Sequence, residues 1–397
     1  MSRFYFKGSL PASKSMLNRA LVALSYEPSV KILGDSSCED VRLMRQGLAD
    51  LIWGKPVECG HAGTVLRFLA LRASRLHGSH VLQGSERLFS RPQSELMPIL
   101  GQLGVTAVFD NNSLRIKTDG WRLIVDGLHV NAQRSSQFAS AVILNAWGLK
   151  FPLHFHIPRE IVSESYLKMT VQMMRQMGMR IETNGSDFFI PANQKIGVRE
   201  YVVEMDLSSA FAVAAMAVVG GEAHLEGFPE KSLQPDAVFL DLLTKMGASL
   251  KLERGTLHVQ KSPHLQGVKA NLINTPDLFP ILSVLCALAN SPSELSGVGH
   301  LKYKESSRLE RTSELLSLMG AKVQATEDFV RIEPASSKNV PISTVVFNVD
   351  QDHRMAMAAT VARWAGYPIQ VSDMKVVDKS FPEFAALASP TEVGAHP

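Results

Sequence analysis

Two short strings far apart in the chain, Ser13-Lys14-Ser15-Met16-Leu17-Asn18-Arg19 and Asp352-His353-Arg354-Met355-Ala356-Met357, set permanent cations among small or helix-forming neighbours. They read as two halves of one anion site. After Pro11 and Ala12, Ser13 is placed to cap a helix whose first N–H groups and positive dipole end would face a ligand. Arg19 falls four residues after Ser15, on the same helix face. Gly60-His61-Ala62-Gly63-Thr64, ahead of Val65-Leu66-Arg67-Phe68-Leu69-Ala70, has small residues that let a ligand approach the backbone. Neither a Walker loop nor a complete GxGxxG occurs, which removes the commoner nucleotide explanations. Ser135-Ser136-Gln137 opens an amphipathic helix expected over Phe138 to Leu149, and Ser163 precedes Tyr166 at a similar turn; hydroxyls at helix starts hold phosphate or simply cap.

Lys304-Glu305-Ser306-Ser307-Arg308 places a carboxylate beside one cation and three residues before another. On an exposed helix that is a solvated face; in a cleft, a Glu held between cations is favoured as carboxylate and needs proton exchange to act as an acid. Asp277, ahead of an apolar helix expected over Leu278 to Leu288, is either its N-cap or a functional carboxylate. His154 and His156 share a strand face, yet no third ligand lies at a suggestive spacing, so they read as edge-strand residues and no metal site is expected.

The elements that must position these residues show an internal repeat. An amphipathic helix ends in Leu/Met-Gly and turns into a strand around Gly104, Gly178, Gly247 and Gly320, each where a left-handed helix C-cap is needed. Intervals of roughly 70 residues suit two helices and about four strands per copy. An earlier, trimmed copy is expected to begin at Val41-Arg42-Leu43-Met44-Arg45-Gln46-Gly47, read as a helix ending in glycine like the others, with only Leu51 to Glu58 before the next motif. The whole is a mixed α/β chain. At 397 residues it can bury two cores, and a net charge of +3 without a basic tract gives no reason to expect nucleic acid or a membrane as partner. The most apolar stretches, around residues 210–219 and 280–289, are too short to span a bilayer. Three widely spaced cysteines and no apolar leader in Met1 to Lys7 fit a reducing, cytoplasmic setting.

Taken together and in this order, the motifs resemble the enolpyruvyl transferase family. The resemblance implies two domains of three repeated βαβαββ-type units each, an inside-out α/β barrel with helices inside and sheets outside. It sets the hinges near Ala12 and Gln234, giving residues 1–12 plus 234–397 as one discontinuous domain and 13–233 as the other, with the active site in the cleft between. Its nearest branch transfers the enolpyruvyl group of phosphoenolpyruvate to the 5-hydroxyl of shikimate 3-phosphate, with no cofactor, in a monomer. Lys14, Asp277 and Glu305 would then be catalytic. Lys14, Gly63, Arg91, Gln137, Arg308, Arg354 and Lys379 would hold phosphoenolpyruvate, with Arg67 nearby. Ser15, Arg19, Ser135, Ser136, Ser163, Asp277, His300 and Lys304 would hold the acceptor, and Asp352 and His353 would orient Arg354. Arginine suits a carboxylate because its planar fork matches it bidentately.

The chain departs from the family's usual residues at Ala12, His61 and Phe68, and on the acceptor side at Glu164-Ser165 and His300. Another acceptor therefore stays open, a cyclitol, a sugar acid or UDP-N-acetylglucosamine. The sugar-nucleotide branch usually carries a reactive cysteine, and Gly84 to Ser90 has none. A non-catalytic anion-binding protein on the same fold is the reading from another class.

Overall fold

The computed structural model describes residues 3–158, 161–336 and 340–388. Contacts divide the chain into a terminal unit, Met1–Ser13 with Glu204–Pro397, and an inserted unit, Lys14–Val203.

Helices apolar on every side belong in the interior. In the terminal unit Leu207–Gly220 and Phe279–Ala287 are of this kind; His353–Trp364, although it carries His353 and Arg354, is also buried almost throughout, and the three pack on one another. Two four-stranded sheets lie against this core. One runs in the order Phe4–Gly8, Gly221–Glu226, Thr256–Gln260, Ser249–Glu253, and the other Lys269–Asn271, Ser293–Ser296, Phe329–Glu333, Lys322–Ala325. In both, the first pair is parallel and the other two pairs are antiparallel. Alternation turns Val330 and Ile332 inward from Phe329–Glu333 while their neighbours stay partly exposed. Val345–Phe347 and Ile369–Val371 add a parallel pair.

The inserted unit is laid out alike. Lys14–Leu24, Gly63–Ala73 and Gln137–Leu144 pack together as its inner helices. The strands Val57–Glu58, Gly78–Gln83, Ser113–Thr118, Thr106–Asp110 form one sheet and Leu128–His129, Leu153–His156, Asp187–Ile190, Glu182–Asn184 the other, each with a parallel pair followed by two antiparallel pairs. Glu200–Val202 and Lys31–Leu33 form its parallel pair. The glycines expected to end helices, Gly104, Gly178, Gly247 and Gly320, all have φ between +73° and +102°, a conformation that strains any residue with a Cβ.

Four expectations are corrected. The second change-over falls at Val203–Glu204, not at Gln234. Gln234 is tied into the terminal unit, its amide donating to the Met205 carbonyl and its oxygen accepting from Leu207 N, while Gly221–Glu226 pairs with the N-terminal strand. Gly47 ends no helix. It lies inside Glu39–Ile52, where an added Cβ would meet Leu69 Cδ1 at 2.4 Å and Val57 Cγ1 at 2.9 Å. His154 and His156 are not on an edge strand, because Leu153–His156 pairs on both sides. The helix expected to reach Leu149 stops at Leu144, where Asn145 turns its amide back onto the Ala141 carbonyl.

Gly47→Ala is expected to lower stability by about 1–3 kcal/mol through overpacking, read as a lower Tm; an unchanged Tm would contradict this packing.

Candidate active site

Arg308 opens the helix Arg308–Leu318 and is only 1% exposed, so its charge needs partners inside the protein. Its Nε donates to Asp352 Oδ2 at 2.8 Å, Nη1 to Asp277 Oδ1 at 2.7 Å and Nη2 to Glu305 Oε2 at 3.0 Å. Asp277 is shared. Its other oxygen accepts from Arg354 Nη2 at 3.1 Å, and Glu305 Oε1 lies 3.4 Å from Lys379 Nζ. Lys379 is thus buried in this cluster, not a surface lysine.

Local sequence explains the convergence. Asp352 caps the helix His353–Trp364 by accepting from Arg354 N, which starts that helix beside the cluster. Asp277 precedes Phe279–Ala287 without capping it, so its carboxylate is available to the arginines. Asp206, the cap of Leu207–Gly220, contributes to the field on Arg354. The inner helices of this unit therefore begin around one charge cluster.

The electrostatics follow from burial set against neighbours. Burial works to raise the Asp277 carboxyl, but Arg354, Arg308 and Lys304 together outweigh it and hold it well below the usual carboxylate range. Burial would lower Arg308, and Asp352, Asp277 and Glu305 more than reverse this. His300 is pushed down to about 3, first by burial and then by Lys304 and Arg308, and its Nε2 has no hydrogen-bond partner among the described residues. It is neutral at any ordinary pH.

In the inserted unit, Arg67 donates Nε to Gln93 at 3.0 Å, Nη1 to Gln137 Oε1 at 2.7 Å and Nη2 to the Pro92 carbonyl at 2.9 Å, with its guanidinium 4.8 Å from the Phe138 ring centre. Ser135 Oγ lies 3.5 Å from Arg67 Nη1 and accepts from Gln137 N. A Cβ at Gly63 would fall 3.4 Å from Arg91 Nη1 and 3.5 Å from Arg67 Nη1, ordinary contact distances that place both guanidinium groups beside this helix start. Arg19 is different in kind. It is 1% exposed, bonded to Thr170 Oγ1 and the Ser15 carbonyl, both at 2.7 Å, and flanked by Phe68 and Tyr166, and among the described residues no carboxylate pairs with it. Burial lowers it to about 10, and only Tyr166 opposes the shift.

Most sequence-expected residues are therefore gathered within their own unit. Asp277, Glu305, Arg308, Arg354 and Lys379 meet in one, with Lys304 and His300 in their field. Gly63, Arg67, Arg91, Ser135 and Gln137 meet in the other, and Ser15 joins Arg19 through its backbone. Lys14 pairs with Asp40. Ser136 is buried at a helix start without capping it, and Ser163 adopts φ +57° there. Two readings change. Among the described residues the Ser13 hydroxyl has no hydrogen-bond partner, and Asp352 orients the Arg308 side chain while reaching Arg354 through its backbone N–H. Sequence reading missed Gln93, Thr170 and Asp40; the closeness of Gln93 to Arg91-Pro92 was the available signal. Cys38, Cys59 and Cys286 are free and buried, and burial pushes each thiol up, which argues against a thiolate nucleophile. Among the described residues no group of three His, Cys, Asp or Glu is arranged for a metal, and no helix is long and apolar enough to cross a membrane.

Residues 49–387 match the family model for EPSP synthase (3-phosphoshikimate 1-carboxyvinyltransferase). The chain belongs to the EPSP synthase family. Relatives named 3-phosphoshikimate 1-carboxyvinyltransferase include those of Methanoculleus marisnigri, 33% identical with 94% of each chain covered, and Tropheryma whipplei, 29% identical with 98% of this chain and 96% of that one covered. EPSP synthase from Acinetobacter baumannii shares the fold at a TM-score of 0.76 and 22% identity, covering 98% of this chain and 95% of that one. The enolpyruvyl transferase NikO from Streptomyces tendae does so at 0.71 and 14%, covering 98% and 94%.

Two outcomes are expected. Inorganic phosphate should raise the Tm of the wild type but not of Arg19→Met, and in phosphate-free buffer the variant should be more stable by about 1 kcal/mol, since an apolar side chain replaces a buried charge that has no carboxylate partner among the described residues. Equal phosphate gains in both would contradict an anion site at Arg19. Because folding holds His300 neutral down to about 3, the unfolded chain binds the extra proton between about 6.5 and 3, so stability should fall as pH drops through that window. His300→Asn should flatten that part of the curve, measured by urea unfolding at several pH values.

Proposed function

We propose that this EPSP synthase family member transfers the enolpyruvyl group of phosphoenolpyruvate to the 5-hydroxyl of shikimate 3-phosphate, releasing inorganic phosphate, in the shikimate pathway. The observation that carries the reading is the sharing of Asp277 between Arg308 and Arg354, with Glu305 held by Arg308 and Lys379. It sets two carboxylates among cations suited to a substrate carboxylate. Family membership and the names of the relatives support the choice of reaction.

In the addition step the acceptor oxygen bonds to C2 of phosphoenolpyruvate and a proton bonds to C3, giving a tetrahedral centre that carries both phosphate and a methyl group. In the elimination step the methyl loses a proton, the C2–O bond to phosphate breaks and phosphate departs. Asp277 takes the acceptor hydroxyl proton, Glu305 gives and recovers the proton at C3, and the Lys14 ammonium stabilises the leaving phosphate. Gly63, Arg91 and Gln137 hold phosphoenolpyruvate with Arg308, Arg354 and Lys379; Ser15, Arg19, Ser135, Ser136, Ser163, His300 and Lys304 hold the acceptor.

The ligand-free pairing bears on how a carboxylate so firmly held can act. Each nitrogen of Arg308 already has a carboxylate partner, so a substrate carboxylate has to compete with Glu305 and Asp277 for Arg308, Arg354 and Lys379. Loosening those pairs raises the basicity of both groups as the substrate arrives. The same reading takes each unit as three copies of one βαβαββ-type element in an inside-out barrel, supported by the shared strand order of the four larger sheets and the third, two-stranded sheet in each unit.

Phosphate release from phosphoenolpyruvate is expected with shikimate 3-phosphate and not with UDP-N-acetylglucosamine or without acceptor, the vinyl ether being identified by NMR. Release with another acceptor alone would move the assignment to a different enolpyruvyl transfer. Arg354→Ala is expected to cut turnover by about 10²–10³-fold or more with the circular dichroism spectrum unchanged; wild-type turnover in that folded variant would sink the assignment.

A further inference from the structure

Lys14 is the first residue of the helix Lys14–Leu24, a place that disfavours a cation because the helix dipole presents its positive end there. Its ammonium nevertheless has a fixed partner, Asp40 Oδ2 at 3.0 Å, with side-chain exposures of 12% and 4%. Asp40 sits in the first turn of Glu39–Ile52, where the same dipole favours a carboxylate, and the two helices pack directly. The pair therefore joins two helix N-termini, with the negative member on a site that favours it and the positive member on a site that does not.

From this geometry we propose that Asp40 is a positioning residue for Lys14. It supplies the countercharge that keeps the ammonium protonated at a buried helix start, and it holds the end of a flexible four-carbon stem in one place before substrate arrives. The inference rests on the catalytic assignment of Lys14 above. Asp40 does not touch substrate; it acts through Lys14. The purely structural role open to such a pair is to fasten the two helices together, and this would show in stability alone.

The test separates the pair from the reaction. Competitive acetylation of the full-length protein with acetic anhydride, followed by mass spectrometry of the Lys14 peptide, reads the protonation midpoint of that amine without any turnover. In Asp40→Asn the midpoint should fall by about 1 pH unit or more, and kcat/KM for phosphoenolpyruvate should fall about 10–100-fold with the alkaline limb of its pH profile moved the same way. Asp40→Glu, which keeps the charge and changes the reach, should hold the midpoint near wild type while still lowering kcat/KM. An unshifted midpoint in Asp40→Asn overturns the proposal. So does a shifted midpoint with wild-type kcat/KM, or a loss of stability with kcat/KM untouched in both variants. If Asp40→Asn does not fold, a wild-type kcat/KM in Asp40→Glu overturns the proposal by itself. Absence of turnover in the wild type would count against the functional reading, and the labelling shift would still report on the pair.

Discussion

A guanidinium sealed from water and bonded through all three of its nitrogens to carboxylates is the constraint around which the terminal unit is organised. Arg308 draws Asp352 from a helix cap, Asp277 from the turn before an inner helix and Glu305 from the turn before its own helix. Removing one partner of such a cluster typically costs about 3–5 kcal/mol, because an uncompensated buried charge remains. The three segments are thereby held to one geometry. Asp277 extends the cluster to Arg354, and Glu305 extends it to Lys379, so the charges proposed to meet a substrate are the same ones that hold the helix starts together.

Apart from the Lys14–Asp40 pair, the buried arginines of the inserted unit are held differently. Arg19 and Arg67 are both buried, but their ordered contacts are to hydroxyl, amide and carbonyl oxygens and to aromatic rings. Neutral acceptors fix a guanidinium in orientation without cancelling its charge. Arg19 stays positive with no carboxylate partner among the described residues, at the cost of desolvation that lowers it to about 10. One unit thus presents arginines paired with carboxylates, the other arginines held by neutral acceptors among the described residues.

What could be read from the chain beforehand followed local physics. A serine-lysine helix start, a glycine loop ahead of an apolar helix and left-handed glycines closing amphipathic helices all announce themselves within a few residues, and Gly104, Gly178, Gly247 and Gly320 behave as expected. The misreadings have a common source in distance along the chain. Gly47 looks like a helix end in sequence and is an interior packing residue because Val57 and Leu69 press on it. The resemblance put a boundary at Gln234, and nothing local corrects it, because only the fold pairs Gly221–Glu226 with Phe4–Gly8. Thr170 and Asp40 lie on helices where a polar residue usually faces water, and only folding brings them to Arg19 and Lys14. Asp352 was recognised as important beside Arg354, yet its main side-chain partner is Arg308, 44 residues away.

The central chemical claim is that C3 of phosphoenolpyruvate becomes a methyl group in a tetrahedral intermediate and that Glu305 moves the proton in and out. Running the reaction in D2O with shikimate 3-phosphate and following C3 by NMR tests this directly. Deuterium should enter the vinyl group of the product and of recovered phosphoenolpyruvate, and its entry should be largely lost in Glu305→Gln. Product formed at a normal rate with no deuterium at C3 would contradict addition–elimination, and unchanged entry in Glu305→Gln would take the proton transfer away from this carboxylate.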